Sequence, residues 1–350
     1  KIGSINASVI LNTEGQSVTL VFVDSTQGWI NTMDSTSNVR GESFVCASVS
    51  GACNTLVTAP CCANVKIATF TGPGTFTVNT ISSCATNNKI AYMVVAGGGS
   101  GGPKYAPVGA NATGGGGGAG GFRESNSPVT PYTASPLNGP GCTTLSATVA
   151  AFPITVGAGG VETPITPPGS TGNNGSNSVF STVTSTGGGG GGEDTQGGNT
   201  GGSGGGRGGE SNPGPGGAGN TPPTSPSQGF PGGAGGFGAP NYGSGGGGGA
   251  GAAGSTGSTS TSGAGGNGVS TNISASSVAR AGGGGAGNYA SGGGASGGTG
   301  GGGTGAGGCG GTAGTVNTGG GGGGGGSGPA PRAKGSAGGS GIVIIRYKFQ

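Results

Sequence analysis

The phrase Met93-Val94-Val95-Ala96-Gly97-Gly98-Gly99 marks where this chain changes character. Residues 1–96 hold 7 of its 99 glycines, and the other 92 fall in residues 97–350. Before the boundary, Ile90-Ala91-Tyr92-Met93-Val94-Val95 is an apolar, β-prone run that reads as a strand. After it come bare glycine runs at 114–118, 187–192, 245–249, 282–285, 300–303 and 319–326. The chain closes on a second β-prone run, Gly341-Ile342-Val343-Ile344-Ile345-Arg346-Tyr347-Lys348-Phe349. The two runs are expected to pair or to share one sheet. Pro153-Ile154-Thr155-Val156-Gly157 and Ser178-Val179-Phe180-Ser181-Thr182-Val183 read as secondary anchors.

What lies between these runs cannot be held by side chains. Residues 187–340 contain eight large apolar side chains: Phe230, Phe237, Tyr242, Val269, Ile273, Val278, Tyr289 and Val316. That is too few to form a hydrophobic core for the segment. Glycine and proline, 99 and 21 of 350 residues, reach the level usual for low-complexity chains. Yet only 6% of residues are charged and the net charge is +3, so repulsion does not hold the chain open. Glycine does not recur at every third position, which excludes collagen. The polyproline II conformation offers another solution, because its backbone N–H and C=O groups point outward, three residues to the turn. Without side chains, such segments can lie close together and bond to one another in a lattice. Satisfied amides then replace the apolar core. The entropic cost of ordering glycine is high, so the lattice needs β anchors at its ends.

The N-terminal part reads as β structure with no helical periodicity. Ser17–Asp24 is a strand, with Ser4–Leu11 and Gly28–Asn31 as hairpin neighbours. Further strands are expected at Glu42–Ser48, Asn64–Thr71, Thr75–Ile81 and Lys89–Val95. The resulting expectation is an all-β chain plus polyglycine II, with little or no α-helix. Residues 1–45 form a β-hairpin fibre or shaft segment, and 46–96 a cysteine-containing β connector. Residues 97–350 form a polyglycine II tip closed by an anchor strand at 341–349. Strands this short bury little alone, so a symmetric trimer is expected, with Phe22 and Trp29 in the shaft core.

The same composition narrows the function. There is no histidine, which removes the commonest general base, the usual triads and most zinc sites. The nine acids are scattered, and only Glu193–Asp194 are adjacent. Catalysis is therefore the disfavoured reading. The twelve Lys and Arg form no basic run that would suit nucleic acid or anionic lipid. No apolar stretch reaches the roughly 20 residues of a membrane span, so membrane insertion is not expected. The G-x-G-x-x-G matches arise by chance in so much glycine, and none sits in a strand–turn–helix unit. The chain opens on Lys1 and enters a strand pattern almost at once, which reads as the ordered end of a longer polypeptide.

Five phrases follow in order along the chain: Met93–Gly99, Gly114–Arg123, Ile154–Gly160, Gly175–Thr186 and Gly338–Tyr347. Together they resemble the glycine-rich domain at the distal end of bacteriophage tail fibres, over roughly residues 64–350. The segment from Glu14 to Ile30 resembles the hairpins that precede such domains in trimeric fibres. The resemblance implies a receptor-binding tip in which polyglycine II helices pack as a sandwich and loops at the far end contact the host. It implies no cofactor and no metal. The partners would be a host bacterial surface receptor, either a glycan or an outer-membrane protein, and upstream tail-fibre or baseplate components. The location would be the virion. The long insertion at 207–243 departs from the compact members of the family. The rival reading is an extracellular structural fibril or matrix subunit, in which the lattice gives mechanical strength.

Contact with a sugar-coated surface favours exposed aromatics with polar neighbours. The receptor-contact candidates are Tyr105, Tyr132, Phe230, Phe237, Tyr242, Arg280 and Tyr289. Of the seven cysteines, Cys46, Cys53, Cys61, Cys62 and Cys84 cluster before the glycine region. Their spacing fits no common zinc pattern. On an extracellular particle, a Cys46–Cys53 bridge or a bridge from Cys61 or Cys62 to Cys84 is expected. An odd count leaves at least one thiol free or paired between chains.

Overall fold

The computed structural model describes residues 17–34, 44–105, 112–140, 144–164, 170–209, 214–236, 238–239, 242–289, 293–307, 310–326 and 332–350. Its strands begin with β1 (Val18–Asp24), β2 (Gly28–Asp34), β3 (Cys46–Val49), β4 (Thr55–Ala59), β5 (Cys62–Phe70) and β6 (Gly74–Thr80). Then come β7 (Lys89–Val95), β8 (Lys104–Tyr105), β9 (Phe122–Ser125), β10 (Leu145–Ser146), β11 (Ala150–Thr155) and β12 (Ser178–Phe180). The last are β13 (Val183–Ser185), β14 (Val269–Thr271), β15 (Val278–Arg280), β16 (Arg332–Ala333) and β17 (Ile342–Lys348). A 3-10 turn at Ala85–Asn88 is the one helical element among the described residues. The chain is therefore all-β with almost no helix. The strand expected at Ser4–Leu11 lies outside the described residues.

A strand buried on both faces needs apolar side chains at odd and even positions alike, and β17 has them. It lies between β7 and β5 in a sheet ordered β10-β7-β17-β5-β4, with β9 also on β7. Antiparallel registers set Ile345 opposite Tyr92 and Ala68, and Ile344 opposite Met93 and Thr69. Val343, Ile345 and Tyr347 point to one side with Tyr92, Val94, Ala68 and Phe70. Ile342 and Ile344 point to the other with Met93, Val95, Val65 and Ile67. The two β-prone runs that flank the glycine region thus pair with each other, as expected. Because β17 is inserted between β5 and β7, the 46–96 segment and the C-terminal strand share one sheet.

The first side faces a second sheet ordered β13-β12-β11-β6-β3. The secondary anchors sit here, with Ile154 opposite Phe180. Rings interlock across the gap edge to face, Phe76 with Tyr347 at 5.7 Å and Phe180 with Tyr92 at 6.2 Å, and Phe152 packs on Phe180 within the second sheet at 6.1 Å. The second side of the central sheet, which Phe122 of β9 also faces, is covered from within the glycine region by Ala119, Ala250, Val269, Ile273 and Ala281. Val269 and Ile273, two of the few large apolar residues of that region, are therefore spent on anchoring it. They occupy the β14–β15 hairpin and its turn.

Beyond Val95 the hydrogen bonding changes from strand to lattice. The N–H groups of Gly97 and Ser100 donate to Ser176 and Asn173, and those of Gly98 and Gly101 to Gly339 and Ser336. Those of Gly99 and Gly102 donate to Gly118 and Gly115. The same neighbour returns every third residue, so the segment has the threefold turn of polyglycine II. Its carbonyls accept from three further segments, through Gly188 and Gly191, through Gly160, and through Gly322 and Gly325. Segment 96–102 therefore has six neighbours, three taking its donors and three feeding its acceptors. Segment 114–121 repeats the pattern. It donates to the segments around 319–325, 186–192 and 245–248, and accepts from those around 99–102, 203–206 and 284–287. Spacing this close excludes a side chain at the glycine positions: a Cβ on Gly117 would lie 2.2 Å from the Gly99 carbonyl oxygen. Serines tie the two sheets together where the lattice begins, since the Ser178 and Ser185 hydroxyls of β12 and β13 donate to the carbonyls of Val95 and Val94 in β7 at 2.8 and 2.7 Å.

The β1–β2 hairpin pairs Phe22 with Trp29, and the two rings meet edge to face at 5.4 Å. Expected in a shaft core, they are 53% and 47% exposed on the single chain, and Leu20, Val21 and Val23 are exposed beside them. A two-stranded ribbon has no second layer of its own in which to bury them.

Candidate functional site

Because β7 runs directly into 96–102, increasing residue number there leads away from the sheets. The register then gathers Gly102, Gly114, Gly115, Gly192, Gly287 and Gly325 at the far end of the lattice. At that end β8 pairs with β16, Tyr105 opposite Arg332. Tyr242 and Tyr289 meet there edge to face, with ring centres 6.2 Å apart. The Lys104 ammonium lies over the Tyr289 ring, 6.0 Å from its centre, at the limit of a cation–π contact. Lys104 is buried, and that burial pulls its pKa below the usual lysine range.

Tyr242 is held in place from beneath. Its φ of 42° is in the left-handed region, which costs a non-glycine residue about 1–2 kcal/mol. The Thr113 hydroxyl donates to the Tyr242 carbonyl at 2.8 Å, and the buried Ser244 hydroxyl donates to Thr113 at 2.8 Å. Two buried hydroxyls, one near in sequence and one far from it, thus brace a strained backbone. Strain of this kind persists where the surroundings over-determine it, often at ligand-binding positions. Nearby, Gly243 donates to the Ser258 carbonyl, which brings the exposed turn Ser258–Thr261 to the same end. A half-exposed ion pair between Lys334 and Glu162 at 2.5 Å lies there too, next to the Thr163–Gly335 bridge. Such a pair contributes little to stability.

The other sequence candidates are elsewhere. Tyr132 and Arg280, expected on exposed loops, belong to the interior around Glu124. Arg280 is only 6% exposed. Its burial pulls its pKa down, against the charge of Glu124, which favours the ionised guanidinium. Glu124 is itself buried and accepts from the Ser135 N–H at 2.9 Å and from the Thr271 hydroxyl. Tyr132 is half-buried over the Arg346 guanidinium at 5.4 Å. Burial, then the Glu124 carboxylate, pushes its phenol far above the usual range. The reason for both corrections is the same. The sheet-side ends of the lattice are capped by β9 and the β14–β15 hairpin, so polar side chains there must pair internally. Phe230 is 36% exposed, but its N–H and carbonyl bond Gly249 and Gly204 on the sheet-side half of the lattice. Phe237 lies outside the described residues.

Sequence reasoning missed Lys104 as a site residue, and it missed Thr113 and Ser244 altogether. The signal for the last two was a single hydroxyl residue abutting a glycine run, Thr113 before 114–118 and Ser244 before 245–249. Cys46, Cys53, Cys61, Cys62 and Cys84 are free thiols in the structure, exposed or half-buried. Among the described residues no three His, Cys, Asp or Glu side chains gather where they would hold a metal ion.

A search among curated proteins finds no match to the chain. A family model for a glycine-rich domain does match, over residues 70–348. That span starts on the last residue of β5 and ends on the last residue of β17, so it takes in the whole lattice with both of its principal anchor strands. The chain belongs to this glycine-rich domain family.

Proposed function

We propose that the chain is the receptor-binding end of a bacteriophage tail fibre, a non-enzymatic adhesin on the virion surface. It contacts a glycan or an outer-membrane protein of the host through the loops at the far end of its lattice. The observation that carries this reading is the Tyr242–Tyr289 pair with Lys104 beneath it, on a strained backbone at the end opposite the sheets. Two phenol rings flanked by exposed serine and threonine hydroxyls offer the apolar faces and hydrogen-bonding groups that an amphipathic sugar surface needs. A lattice bonded in every direction is rigid, and rigidity lowers the ordering cost of binding. The β1–β2 hairpin supports a trimeric fibre upstream, because its exposed apolar faces are satisfied by copies of themselves.

The test is binding of the fluorescently labelled protein to intact bacteria across a strain panel, with surface-stripped cells as control. Binding confined to a few strains, lost on stripping and lost in Tyr242→Ala/Tyr289→Ala, is the expected result. The double variant should keep the wild-type melting profile. Unchanged binding in that variant would exclude this site, and filaments with no cell binding would favour a structural fibril.

A further inference from the structure

The hairpin that joins β4 to β5 carries two consecutive cysteines. Ala59 pairs with Cys62 across the turn, and the Cys62 thiol donates to the Cys61 sulfur at 3.3 Å. Arg346, buried in the neighbouring strand β17, approaches the Cys62 sulfur with Nη2 at 3.8 Å. Cys61 is exposed and Cys62 half-buried. The two sulfurs are therefore in contact at a surface corner, one open to small molecules and the other behind it against a fixed cation.

We propose that Cys61–Cys62 is a reversible thiol-exchange site for low-molecular-weight disulfides, with Cys61 attacking and Cys62 resolving. The Cys61 sulfur attacks one sulfur of the small disulfide, and the first small thiolate leaves and takes up the Cys61 proton. The Cys62 sulfur then attacks Cys61, expelling the second small thiolate, which takes up the Cys62 proton. Two electrons pass from the cysteine pair to the small disulfide, giving one vicinal disulfide and two small thiols. The Cys62 hydrogen bond chiefly, and the Arg346 guanidinium to a lesser extent, pull the Cys61 pKa down against its slight burial. The Cys61 interaction pushes that of Cys62 up. The order of attack follows from exposure, Cys61 being open and Cys62 half-buried behind it, and the lowered Cys61 pKa agrees, since the thiolate is the nucleophile.

Neighbouring residues make this an exchange site and not a permanent staple. Bridged cysteines usually have Cα atoms about 4.4–6.8 Å apart, whereas consecutive Cα atoms lie about 3.8 Å apart across a trans peptide. A ring closed between adjacent residues is strained, and strained, exposed disulfides are readily reduced.

The experiment treats the reduced 350-residue chain with glutathione disulfide, alkylates the remaining thiols, and reads each cysteine by peptide mass spectrometry. Cys53, exposed in the same molecule, is the internal comparison. The expected product is a Cys61–Cys62 peptide lighter by two hydrogens, unalkylated, and restored by reduced glutathione. In Cys62→Ser the glutathione should stay on Cys61, and in Cys61→Ser it should reach the half-buried Cys62 several-fold more slowly, because that sulfur is less accessible. A stable glutathione adduct on the wild-type pair would overturn the proposal. So would a bridge from either residue to another cysteine, or equal adduct rates in the two single variants.

Discussion

Replacing Gly117 with alanine tests the lattice most directly. The added methyl would stand 2.2 Å from the Gly99 carbonyl oxygen and 2.7 Å from that of Ser100, where ordinary contact begins at 3.4 Å. Segment 96–102 must therefore retreat by about 1 Å at this level. Two bonds tie it to segment 114–121 here, Gly99 to Gly118 and Gly102 to Gly115, both 2.8 Å. A retreat of that size opens both beyond hydrogen-bonding range. Each leaves buried groups unpaired at about 1–3 kcal/mol, so the loss is about 2–6 kcal/mol. The alanine restores about 0.4–1 kcal/mol by restricting the unfolded chain. The net loss, about 1–5 kcal/mol, is a sizeable share of the usual stability of about 5–15 kcal/mol of a folded domain. Gly293→Ala is the control, since an added methyl there meets nothing within 4 Å. Urea unfolding followed by circular dichroism gives the stability difference, and hydrogen exchange at residues 97–102 shows where it arises. If Gly117→Ala matched Gly293→Ala in both measurements, the close-packed lattice reasoning would be refuted.

The exposed hairpin carries a second prediction. Phe22→Glu/Trp29→Glu should lower the association state in sedimentation while leaving the Gly-lattice exchange pattern intact, and an unchanged oligomer would remove the hairpin from the interface. Alkaline titration supplies a third. Burial raises the phenol pKa of both Tyr132 and Tyr347 far above normal, so the folded state keeps protons that the unfolded state releases. Their contribution is present in full below about pH 10, the unfolded tyrosine value, and is lost as pH rises above it toward the folded values. Ultraviolet titration should show two tyrosines that ionise only as the protein unfolds. Their ionisation in the native state would show that the phenols are accessible.

The strands at Lys89–Val95 and Ile342–Lys348 were legible because β-branched runs bounded by glycine have few alternatives. The threefold lattice was legible for a negative reason. A chain with 92 glycines in its last 254 positions and hardly any large apolar side chains has only its backbone to bond with. The strand at Thr55–Ala59 and the β14–β15 hairpin were missed. Both are short, and their residues gain meaning only in place, β4 as an edge strand of the central sheet and β14–β15 as a cover for it.

The site was less legible than the fold. Tyr242 and Tyr289 stood in the sequence as two of several aromatics among glycines. Nothing local separated them from Tyr132, which is half-buried over Arg346. Sequence alone determined the kind of order this protein has, since that follows from composition and from where the β-prone runs stop. Only the tertiary structure decided which loops reach the far end and which side chains are enclosed. Each lattice segment chooses its neighbours through backbone hydrogen bonds, and a backbone of repeated glycine gives no local sign of its partners.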